Sequence, residues 1–173
     1  MRWLAVILFV TLAACTTKMD KAGRTESTVD PKYLLKSEVD RIADTNRAEV
    51  VNGLLLIADK LYKRNPKEWK KSGAVSREAA VERLRQRTYR NWPEFTGLRE
   101  GAVASLAFTE AYAGDRVMAL MYGLLSMVDA AFEHKEEFYI LDSLNELKLY
   151  NSARNMDVAI WKLGHDRTAA GSP

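Results

Sequence analysis

Few side chains in this sequence have the chemistry to act on a substrate, and their surroundings decide what each can do. There are two histidines, His134 and His165. Neither has a metal-ligand partner at helical spacing. Glu133, Glu136 and Glu137 beside His134 read as a solvated acidic run, and His165 lies near the C-terminal tail. His134 falls at an expected helix end, where a cation meets the carbonyl dipole favourably. Glu110 is the most suggestive carboxylate, because its neighbours in SLAFTEAYAG are otherwise apolar. Buried there, it would have a raised pKa and act as an acid. On a polar helix edge, or paired with an arginine, it would be structural. Asp129 poses the same choice. Cell-wall hydrolysis needs a positioned carboxylate, and most acyl transfers need a Ser or Cys with a His. The sequence presents no such set beyond the weak catalytic candidate Glu110, and no glycine-rich phosphate loop. It calls for no metal and no cofactor.

Cys15 is the sole cysteine of the 173 residues. It follows Met1 to Ala14, MRWLAVILFVTLAA, in which Arg2 precedes an apolar run from Trp3 to Leu12. A membrane-spanning helix needs about twenty apolar residues, so this shorter run suits a signal peptide. Its end, Leu12-Ala13-Ala14-Cys15, resembles the lipobox of bacterial lipoproteins. That resemblance implies cleavage before Cys15, a diacylglyceryl group on its thiol and acylation of the new amine. Two or more acyl chains hold a protein firmly on a bilayer. Thr16 stands where an aspartate tends to retain such proteins on the inner membrane, so the resemblance implies the outer membrane, with the domain facing the periplasm. It covers about the first 16 residues. The alternative is an ordinary secretory signal cut near Ala14. With one thiol there is no disulfide to form, and stability must come from packing.

Charge is unevenly spread. The formal net charge is +3, which by itself implies no nucleic-acid partner. From Lys60 to Arg90 there are eleven Lys or Arg against Glu68, Glu78 and Glu82, whereas from Asp129 to Glu146 six acids face only Lys135. Arg83, Arg87 and Arg90 share one helix face by spacing. With Trp69, Tyr89 and Trp92 they make a candidate binding face for anionic headgroups or an acidic partner. The alternative is a solvated basic helix whose aromatics cap the core.

These residues must be positioned by helices. The pattern predicts an all-α domain over 32–167, a polar tether over 15–31 after the signal at 1–14, and a short polar tail over 168–173. Ser37 can cap a long helix reaching Leu61 and ending at Asn65-Pro66, unless Asp44-Thr45-Asn46 splits it. A turn of helix over 66–71 and a helix from Ser76 to about Arg90 follow. The next runs from Leu98 to Ala113, with Gly114 at its end and Asp115 capping a helix from Arg116 to His134. That helix is apolar nearly all round, so it should be the buried centre. Two more are expected over 137–150 and 152–163. Leu106-Ala107, Gly114-Asp115 and Ala119-Leu120, with ADKLYKRNP at 58–66, are similar to parts of a tetratricopeptide unit. The repeat's aromatic positions and a second copy at its 34-residue period are lacking. Antiparallel hairpins therefore form either a short solenoid of that kind or an irregular bundle.

Three functions fit such a domain. The first is a membrane-tethered helical scaffold that docks an envelope protein. The second is a lipid or small-molecule carrier with a cavity among Met118, Met121, Met127 and Phe132. The third is a cell-wall enzyme using Glu110.

Overall fold

A computed structural model of the 173-residue chain describes residues 17–19, 25–27, 35–86 and 92–165. The body is all helical, as the pattern predicts. Two short strands precede it, β1 (Thr17–Met19) and β2 (Thr25–Ser27), paired antiparallel with Lys18 opposite Glu26. They fall within the stretch expected to be an unstructured tether, where the threonines favour extended backbone.

Helix α1 spans Glu38–Arg64 without a break. It opens on a reciprocal cap: the Asp40 amide donates to Ser37 Oγ at 3.2 Å, and the Ser37 amide donates to Asp40 Oδ2 at 2.8 Å. Asp44-Thr45-Asn46 does not split it. Thr45 donates its hydroxyl to the Arg41 carbonyl, and the Asp44 carboxylate is taken by Lys36 and the Phe138 amide. Pro66 begins α2 (Pro66–Lys71), and Gly73, at φ 66°, turns the chain toward α3 (Arg77–Arg85), capped by Ser76. The stretch from 87 to 91, where that helix was expected to continue, lies outside the described residues.

Helix α4 is Glu100–Leu106, much shorter than the expected 98–113. Ser105 and Thr109 donate their hydroxyls back to the carbonyls of Gly101 and Ser105. The Arg116 guanidinium draws the Ala107 and Glu110 carbonyls into a loop. Both compete with helical bonding. Gly114 has no left-handed φ; its missing Cβ leaves room for the Tyr112 ring.

Helix α5 (Arg116–Ala131) is the centre, with fourteen of its sixteen residues buried. It touches each of the other five helices. Its closest neighbour is α4: a Cβ on Gly123 would sit 2.5 Å from the Ala104 amide nitrogen and 2.6 Å from the Glu100 carbonyl oxygen. Phe95 packs on Tyr122 with ring centres 4.8 Å apart. The expected helix over 137–150 does not form. The Phe138 amide goes to Asp44, the Ile140 amide to the Leu35 carbonyl and the Tyr139 amide to Asp142. Two long-range partners and one nearby carboxylate thus claim the hydrogen bonds a helix would need. The last helix, α6 (Glu146–His165), is continuous through the expected break at 151, and Asn145 accepts the Lys148 amide at its start.

Candidate functional site

The two ends of α5 hold the principal buried charges, and they are built differently. At the N-terminal end Asp115 is 1% exposed. Its carboxylate accepts the Met118 amide at 2.9 Å and the Tyr62 hydroxyl at 2.9 Å. A carboxylate here faces the positive end of the helix dipole. Burial nonetheless pushes its pKa up, against the pull of those hydrogen bonds. Burial and the Asp115 charge also push Tyr62 up, so it stays a neutral donor. Glu68 accepts the Arg116 amide at 2.8 Å and pairs with Lys71, which reaches the Gly114 carbonyl. Tyr112 lies alongside, pushed up to about 12 by burial and the carboxylates of Glu94, Asp115 and Glu68.

At the C-terminal end Asp129 is 3% exposed and sits where the dipole opposes a carboxylate. Two side chains offset this. Arg47 Nη2 of α1 lies 3.7 Å away, and His134 Nδ1 lies 2.7 Å away. The helix closes with the His134 amide donating to the Asp129 carbonyl at 2.8 Å and the Glu133 amide to Ala130 at 3.1 Å. That closure needs a left-handed residue, usually glycine. Here two non-glycine residues supply it, Glu133 at φ 54° and His134 at φ 58°. Asp129 therefore holds His134 by both main chain and side chain. An open hollow of about 440 Å³ lined by Glu133, Lys135 and 141–145 lies beside this closure.

The sequence-expected site residues separate. Cys15, Arg87 and Arg90 lie outside the described residues. Arg83 is half-buried, and its guanidinium donates to the Ser72 carbonyl at 2.8 Å and the Gly73 carbonyl at 3.4 Å. Trp69 and Trp92 lean on the core as half-buried aromatics. Glu110 is exposed on the loop after α4 rather than within an apolar helix. Met118, Met121, Met127 and Phe132 are all buried in the core. His165 stacks on Trp161 with ring centres 4.7 Å apart. Among the described residues there is no group of three or more His, Cys, Asp or Glu placed to hold a metal, and no helix long and apolar enough to cross a membrane.

The surface of α1 and α6 holds a further feature. On α1, Val39, Ile42, Val50 and Ile57 are exposed, in line with Gly53, whose Cβ position has open space around it. Ala43, Leu54, Ala58 and Tyr62 form the buried face instead. The signal was in the sequence: α1 carries more apolar positions than one face can bury. Helix α6 repeats this. Leu149, Ser152, Met156 and Ala159 pack inward, while Leu147, Tyr150, Val158 and Trp161 face out, each 47–67% exposed.

No family model matches the chain, and no curated protein or solved structure resembles it closely enough to count as a match.

Proposed function

We propose that this chain is a membrane-tethered helical interaction module of the bacterial envelope, held by lipid on Cys15 and docking a protein partner on the outer flank of α1. One observation carries the docking reading: the exposed line Val39, Ile42, Val50 and Ile57 on a helix whose adjoining face is already packed. Its span is about 27 Å at 1.5 Å per residue, the length of a partner helix of some five turns. Open Gly53 in mid-line lets such a helix approach closely. Single exposed apolar residues are ordinary, but four along one flank of a helix, spaced by Asn46 and Gly53, suit a docking surface.

The anchor reading rests on Leu12-Ala13-Ala14-Cys15, and the location it implies is the outer membrane, facing the periplasm. Replacing Cys15 by Ser in the full chain is expected to move it from the membrane fraction to the soluble one. Docking is tested by photo-crosslinking residues placed at Ile42, Ile57 and Asn52, the last on another face of α1. The expected outcome is the same discrete heteromeric adduct from Ile42 and Ile57 and none from Asn52. Equal labelling from all three positions, or no adduct from any, would contradict it.

A further inference from the structure

The outward face of α6 has an internal symmetry that selects its occupant. Leu147 and Trp161 lie seven residues either side of Arg154, and Tyr150 and Val158 four residues either side. Offsets of four and seven bring all five onto one line of a helix. The line is thus a palindrome about Arg154, apolar at both ends and charged at its centre. All four apolar members are exposed, at 67%, 60%, 47% and 58% in chain order. The opposite face, through Leu149, Ser152, Met156 and Ala159, is packed on the body.

We infer that α6 pairs antiparallel with α6 of a second copy of this chain, about a two-fold axis passing beside Arg154. A closed pair buries the same patch on both subunits, so the patch must match itself reversed. This one does: Leu147 meets Trp161 of the second copy, Tyr150 meets its Val158, and the reciprocal contacts follow by symmetry. The centre is also complementary in charge. Two Arg154 side chains alone would repel at the axis. Asp157, one turn further on at the rim, comes to the same side of the axis from both copies. Each guanidinium then has its own Asp157 and the partner's, and the four charges cancel. Among the described residues neither Arg154 nor Asp157 has an ion-pair partner within the chain, so both are available. The inference goes beyond docking on α1, which uses a different helix and a different protein.

The test is the register of cross-links in the full, membrane-bound chain. A photo-crosslinking residue at Trp161 should yield an adduct of twice the chain mass whose second site maps to the Leu147 end of the partner's α6. A probe at Leu147 should map to the Trp161 end, and one at Arg154 to the centre. Arg154→Asp places four carboxylates at the axis and should weaken the dimer about 10-fold, and Arg154→Asp with Asp157→Arg should restore it. Trp161→Glu should weaken it at least about 30-fold. Like-to-like mapping (Leu147 to Leu147), adducts only with lipid or another protein, or no dimer adduct would each overturn the pairing. The α1 adduct is scored on the same samples, so loss of the α6 dimer alone leaves the docking reading standing.

Discussion

Asp115 and Asp129 are two buried carboxylates on one helix, and they are stabilised in opposite ways. Asp115 stands at the N-terminal end of α5, where free amides and the dipole favour a negative charge, and a neutral tyrosine completes its shell. Asp129 stands in the last turn, where the dipole opposes it, and it draws on partners from two directions, the Arg47 guanidinium and the His134 ring. The same side chain thus relies on dipoles at one end of a helix and on a guanidinium at the other. Arg47 reaches across from α1 to the C-terminal end of α5, so this pair also couples the outer helix to the core.

Substitution at the two ends of α5 should lower stability unequally. Asp129→Ala leaves the 6%-exposed Arg47 without this carboxylate, and about 3–5 kcal/mol of stability should be lost in urea unfolding, the usual cost of a broken buried pair. His134→Ala should cost under about 1 kcal/mol, because that partner is mostly exposed. Losses of equal size from the two would show that Arg47 is not the main counter-charge.

Asp115→Ala should cost about 2–4 kcal/mol, the sum of a lost cap and an orphaned buried hydroxyl on Tyr62. Tyr62→Phe, which removes only the donor, should cost about 1 kcal/mol. If Tyr62→Phe cost as much as Asp115→Ala, the cap would be idle.

The Asp115 end should also carry a pH signature. Its folded-state pKa is raised above the ordinary 3.8, by burial first, so the folded chain holds the proton more tightly than the unfolded one. Stability from this group is then complete below about pH 4 and falls as pH rises through the folded value. The unfolding free-energy difference between the natural chain and Asp115→Asn should therefore narrow between pH 3 and pH 7. A difference that widened over that range would reverse the assignment.

The smallest effect concerns the helix closure. Glu133 holds a left-handed φ of 54° that glycine adopts without strain. Glu133→Gly should raise stability by about 0.5–1 kcal/mol net, despite losing the exposed Lys148 pair. A loss of stability would mean that this pair outweighs the strain.

What the sequence revealed follows the range of the interactions. Ser37, Ser76 and Asp115 were readable as caps because a cap is local, and α5 was readable as the centre because its apolar residues surround it. The segment after His134 was misread because its amides are claimed by Asp44 and Leu35, about a hundred residues away. The pairing of Arg47 with Asp129 was hidden for the same reason. Of the candidate site, the outer stripe of α1 was on the page as surplus apolar positions, and only packing could assign which ones face out. Spacing alone suggested the basic face, and Arg83 turns its guanidinium to two carbonyls of the α2–α3 connection, those of Ser72 and Gly73.

The most direct test of the central claim joins surface chemistry to stability in one variant. A photo-crosslinking residue at Val50 reports docking on α1, and Ile42→Glu with Ile57→Glu places charge on the exposed line. The Val50 adduct should disappear while the unfolding free energy shifts by no more than about 1 kcal/mol, as for surface substitutions. An adduct of undiminished yield in that variant, or a collapse of stability alongside its loss, would contradict α1 as a docking face.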